Sequence, residues 1–126
     1  MKRWLAALAA VGSIGCMPLN DGHAQAPDGS RPPEATLAAL RADAAVRAGV
    51  PADQVKLESS QAVTWRDSSL GCPQPGMSYA QVLVPGWQVR LRAGDKLIDY
   101  HLGRRGNWQR CPADRAQEPL PANPAV

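Results

Sequence analysis

The side chains able to do chemistry gather in two places. One is the run 65–81, WRDSSLGCPQPGMSYAQ, with Asp67, Ser68, Ser69 and Cys72; the other is Asp99-Tyr100-His101. Alternate residues of a strand share a face, so Asp99 and His101 lie together and Tyr100 does not, a spacing that permits an Asp-oriented imidazole. With Ser69 as nucleophile and His101 as base, the set would suit a small hydrolase. The plainer reading makes His101 a surface residue and the Ser-rich run a turn. His23 lies in the N-terminal segment, which leaves one usable His and two Cys better explained as a disulfide. No ligand cluster of recognised spacing remains, and neither a metal nor a cofactor is expected.

The run 65–81 reads as a stiff loop. Asp67, Ser68 and Ser69 favour turns by bonding nearby backbone, and Gly71 adopts positive φ without strain. Pro73 and Pro75 fix φ and push the preceding residues towards extended geometry. Cys72 is thereby presented in one direction. The exposed chemistry of this loop makes Asp67, Ser69, Gln74, Met77, Tyr79 and Gln81 the candidate binding residues.

These residues need a scaffold, and the ends of the 126-residue chain are not domain-like, which leaves about eighty residues to form a core. Residues 1–15 are a charged start, Lys2 and Arg3, followed by an apolar Ala-rich stretch too short to span a bilayer permanently, as in a secretory signal. Two processing sites compete: Ser13-Ile14-Gly15-Cys16 resembles a lipoprotein signal in which Cys16 is lipidated, and Ala24-Gln25-Ala26 is a small-x-small cleavage pattern. Either removes the odd member of three cysteines, leaving Cys72 and Cys111 to pair in an oxidising compartment. The division expected is signal and tether at 1–26, linker at 27–33, domain at 34–112 and a disordered Pro-rich tail at 113–126. Without residues 1–15 the charge is 12 basic against 11 acidic, or +1. That balance gives no electrostatic case for nucleic acid.

Within 34–112, Leu37, Leu40, Ala44 and Ala48 recur at helical spacing, with Pro33 at the start and Gly49 and Pro51 at the end. Val55, Leu57, Val63 and Trp65 share one parity of a strand. An apolar run follows at 80–84, and then Trp87, Val89 and Leu91 alternate with Gln88, Arg90 and Arg92. A turn at 93–96 leads to Ile98, Tyr100 and Leu102, and a short strand closes at 107–111. The fold class expected is α+β: one N-terminal helix packed on an antiparallel sheet of four to five strands, stapled by one disulfide. Leu37, Leu40, Ala44, Val55, Leu57, Val63, Trp87, Val89, Leu91, Ile98 and Tyr100 should be its core. Arg90, Arg92, Arg104, Arg105 and Arg110 would form a solvated basic stripe, with contact to anionic polymer or headgroups as its functional reading.

The pattern W-x-D-x-S-L-G-C-P-x-P-G over 65–76, with Tyr79, Gln81, Pro85-Gly86-Trp87, Tyr100-His101 and Cys111, resembles a family of small exported bacterial proteins, many of them lipoproteins. It covers roughly residues 36–111. The resemblance implies envelope location and a disulfide, and no reaction. The architecture is similar to the cystatin and PepSY folds at fold level alone, which does not carry function. The expectation is a monomeric, non-catalytic binding or inhibitory module of the cell envelope. Its partner would be an envelope protein or polymer, and it would be held at the membrane if Cys16 is lipidated. The hydrolase using His101 and Ser69 is the alternative.

Overall fold

The protein is described by a computed structural model over residues 29–121. The signal, Cys16 and the end of the tail lie outside the described residues. Helix α1 spans Glu34–Ala48. It forms here because alanine, leucine and arginine dominate, and its Leu37, Leu40 and Ala44 make one apolar stripe. The Pro33 carbonyl accepts the amides of Thr36 and Leu37 at 2.9 and 3.0 Å. Gly49 ends the helix at φ 69° and returns its N–H to the Ala45 carbonyl.

Strands β1 (Val55–Trp65), β2 (Val84–Ala93), β3 (Lys96–Gly103) and β4 (Trp108–Arg110) form an antiparallel meander in the order β1-β2-β3-β4. Gly94 and Asp95 join β2 to β3, with Ala93 paired to Lys96. The helix covers one face of this sheet, burying Leu37, Leu40 and Ala44 against Val89, Leu91 and Tyr100. Tyr100 Oη donates to Asp43 Oδ2 at 2.8 Å, and Arg110 Nε pairs with the same carboxylate at 3.0 Å. Burial and the bond to Asp43 raise the Tyr100 phenol above its usual pKa range. One helix on a four-stranded antiparallel sheet is the α+β class expected from the sequence.

Three expectations change. Leu57 pairs with Leu91 but Ser59 with Arg90, so a bulge at Glu58 shifts the register. A one-residue insertion reverses which side chains face which way. Ser60 and Ala62 therefore join Val89 and Trp87 on the helix face, while Val63 and Trp65 turn to the opposite one. Val63 is half-buried, as are Leu57, Trp87 and Ile98; the other expected core residues are buried. The apolar run 80–84 contributes only Val84 to a strand, and Val82 and Leu83 stand 55% and 65% exposed.

The third change concerns the tail. Over residues 113–121 the chain stays on the domain: Gln117 N–H bonds the Gly71 carbonyl at 2.8 Å and Leu120 N–H the Thr64 carbonyl at 2.9 Å. Proline removes donors only at its own positions, so the intervening amides remain free to pair. Residues 113–121 thus lie across the face opposite the helix.

Candidate functional site

The loop 66–83, between β1 and β2, lies over that second face and is tied at every turn. Asp67 Oδ1 accepts the Ser69 amide at 2.8 Å and also the Ser69 hydroxyl, an Asx-type turn. Ser68 closes the base of the loop twice, donating its amide to the Ala80 carbonyl at 3.0 Å and accepting the Ala80 amide on Oγ at 2.9 Å. Within it, Tyr79 Oη accepts the Gln74 amide at 2.8 Å, and Met77 N–H bonds the Gln74 carbonyl at 3.2 Å. Cys72 and Cys111 form the disulfide, with their Cα atoms 5.6 Å apart.

Leu70 has φ 55°, a left-handed conformation that a side chain makes unfavourable by about 1–3 kcal/mol. Its surroundings hold it there. The Leu70 side chain is buried, its carbonyl receives the Nδ1–H of His101, and the Ser69 carbonyl receives Gln109 Nε2. Gly71, at φ 69°, passes so close to the Trp65 ring that a Cβ would lie 2.6 Å from it. Only glycine fits there, and the loop packs directly on the indole.

Trp65 and His101 are both fully buried and stack at 4.4 Å between ring centres, 19° from parallel. Trp65 Nε1–H donates to the Leu102 carbonyl at 3.0 Å. His101 Nε2 faces Asp99 Oδ2 at 2.9 Å, and Gln88 Nε2 reaches the same carboxylate at 3.4 Å while its Oε1 accepts Gln61 Nε2 at 3.1 Å. The sequence places His101 at the surface; the loop above it makes it interior. The shared face of Asp99 and His101 is as expected, but both ring nitrogens are occupied, one by Leu70 and one by Asp99. Ser69, 1% exposed, gives its hydroxyl to Asp67. No hydrogen bond among the described residues joins Ser69 to His101, so the nucleophile–base contact of a hydrolase is not formed.

The basic stripe is also divided. Arg90 pairs with Asp99 at 3.8 Å and Arg92 with Glu58 at 3.1 Å, while Arg110 lies on the helix face with Asp43. The bond from Arg92 holds the Glu58 carboxyl below its ordinary pKa range. Arg104 sits over the Trp87 ring, 5.9 Å from its centre.

The six candidate binding residues fall into two groups. Asp67 and Ser69 belong to the framework, half-buried and buried. Gln74, Met77 and Gln81 are exposed, Met77 by 60%, and Tyr79 is half-buried with its hydroxyl turned back to the loop. Sequence reasoning missed Val82 and Leu83 as exposed apolar residues; the failure of 80–84 to alternate was the available signal. It also missed Gln117 and Leu120, whose role rests on backbone groups that composition does not reveal.

No curated protein and no solved structure matches this chain. A family model described as a domain of unknown function (DUF8738) matches residues 37–111, from the first buried leucine of α1 to the second cysteine of the disulfide. The match spans more than half of the chain, which therefore belongs to the DUF8738 family.

Proposed function

We propose that the domain is a non-catalytic binding or inhibitory module of the bacterial cell envelope, with the tip of the loop at 74–81 as its recognition surface. The observation that carries this reading is the contrast within the loop. Its backbone is held by Asp67, the Ser68–Ala80 pair, Tyr79, the disulfide and Gln117, yet Gln74, Met77 and Gln81 remain exposed. A surface ordered before it meets a partner loses less entropy on binding. Functional residues concentrate on such loops when a rigid scaffold presents them. The same reading makes the protein exported: the charged-then-apolar start is signal-like, and a disulfide persists in an oxidising compartment. Lipidation of Cys16 would hold it at the membrane. The partner is an envelope protein or polymer.

The test uses full-length, oxidised protein as bait in envelope extract of the producing cells. Replacing both Gln74 and Met77 with Ala should weaken capture of the partner about tenfold or more, as expected for losing contacts at the centre of an interface. The melting temperature should not change. Undiminished capture by this variant would move recognition away from the loop tip.

A further inference from the structure

The chain enters the domain at one end of the sheet. The Gly29 carbonyl accepts Trp87 Nε1–H at 2.9 Å, and Trp87 adjoins the Gly86–Gly103 pair where β2 begins and β3 ends. Arg104 lies over that indole and gives its amide to the Pro85 carbonyl at 3.2 Å. Gly86 can have no side chain here, because a Cβ would collide with the Leu102 carbonyl. The two strands are therefore pressed together at this end.

At this same end Val82 and Leu83 are 55% and 65% exposed, and they line a cleft with Arg104 and Arg105. Leu83 and Arg104 also border a second groove, shared with Arg66 and Leu120 and carrying one acidic residue, Glu118. Among the described residues, neither Arg66 nor Arg105 has an ion-pair partner, whereas Arg90, Arg92 and Arg110 do. Two exposed aliphatic side chains rimmed by three arginines combine apolar insertion with charge complementary to phosphate.

We infer that this end of the domain is an edge that docks on an anionic lipid surface, with Val82 and Leu83 entering the interfacial layer and Arg66, Arg104 and Arg105 meeting lipid phosphates. The inference rests on the envelope reading, in which Cys16 is the anchor. Residues 17–28 then span at most about 40 Å. Because Gly29 sits at the apolar and cationic end, the tether joins the domain beside this edge and brings it within reach of the leaflet. The residues involved are distinct from Gln74 and Met77, so membrane docking and partner recognition can be changed separately.

Hydrogen exchange on the full chain carrying Cys16→Ser, which has no acyl anchor to hold it on a vesicle, provides the test. Vesicles of mixed phosphatidylglycerol and phosphatidylcholine should protect amides at 82–84 and 104–106, and pure phosphatidylcholine should protect them much less. Replacing Arg66, Arg104 and Arg105 with Gln should weaken binding to the anionic vesicles roughly fivefold for each arginine. Leu83→Ser should weaken vesicle binding further while leaving any binding of soluble dextran sulfate unchanged. No protection on anionic vesicles, undiminished binding of the triple variant, or an equal effect of Leu83→Ser on vesicles and dextran sulfate would overturn the lipid edge. The anchor reading is tested apart from this: Cys16→Ser should release the protein from the membrane fraction of cells, and continued fractionation with membranes would contradict it.

Discussion

Trp65→Ala should be among the most destabilising single substitutions in this protein, costing on the order of 3–5 kcal/mol. The indole is fully buried, stacks on His101, donates to the Leu102 carbonyl and forms the floor on which Gly71 rests. Truncation removes the packing, the stack on His101 and the indole's bond to the Leu102 carbonyl. Domains of ordinary stability have about 5–15 kcal/mol in total, so the variant should be close to unfolding. Trp65→Phe preserves an aromatic surface for His101 and loses the N–H, and should cost less, about 1–3 kcal/mol. Trp87→Ala should also cost less than Trp65→Ala, because Trp87 is only half-buried. Urea denaturation of the three variants decides the order. A Trp87 effect larger than that of Trp65 would mean that the second face of the sheet is not a true core.

The second large effect is expected from the paired substitution of Cys72 and Cys111 by Ala. The disulfide joins residues 39 apart, for which the chain-entropy model gives a contribution of about 4 kcal/mol. Its loss should lower the urea midpoint strongly. The contacts of α1 with β2 and β3 do not involve either cysteine, so far-UV circular dichroism of any folded fraction should keep its shape. What should loosen is the loop and the segment beyond residue 112, since the Gly71 carbonyl that holds Gln117 adjoins Cys72. A loss below about 1 kcal/mol would show that the remaining bonds of the loop suffice without the covalent link.

The helix and the β2–β3 hairpin were legible because their signals are local. Pro33, Gly49 and the spacing of Leu37, Leu40 and Ala44 bound α1, and strict alternation around Gly94-Asp95 marks the hairpin. The bulge was not legible. It falls in Glu58-Ser59-Ser60-Gln61, where four polar residues in succession carry no alternation from which a shift could be read. Alternation alone therefore puts Val63 and Trp65 on the helix face. His101 is hidden for a different reason: its strand parity is right, but the cover over it comes from Leu70 and its neighbours, with Leu70 31 residues away in sequence. The turn-forming chemistry of Asp67, Ser68 and Gly71 was visible in the residue types. Their division from exposed Gln74 and Met77 was not, since it depends on which side of the loop meets the sheet.

Recognition at the loop tip requires the loop to be ordered in the free protein. Native-state hydrogen exchange on the full-length, oxidised chain measures this directly, because the amides of Ser68, Cys72, Gln74, Met77, Ala80 and Gln117 each have an acceptor within the protein. These amides should exchange much more slowly than those of an unstructured peptide, and reduction of the disulfide should speed those of Cys72 and Gln117 most. Exchange of the whole set at unstructured rates in the oxidised protein would contradict the account, since the loop would then have no prior order to bring to a partner.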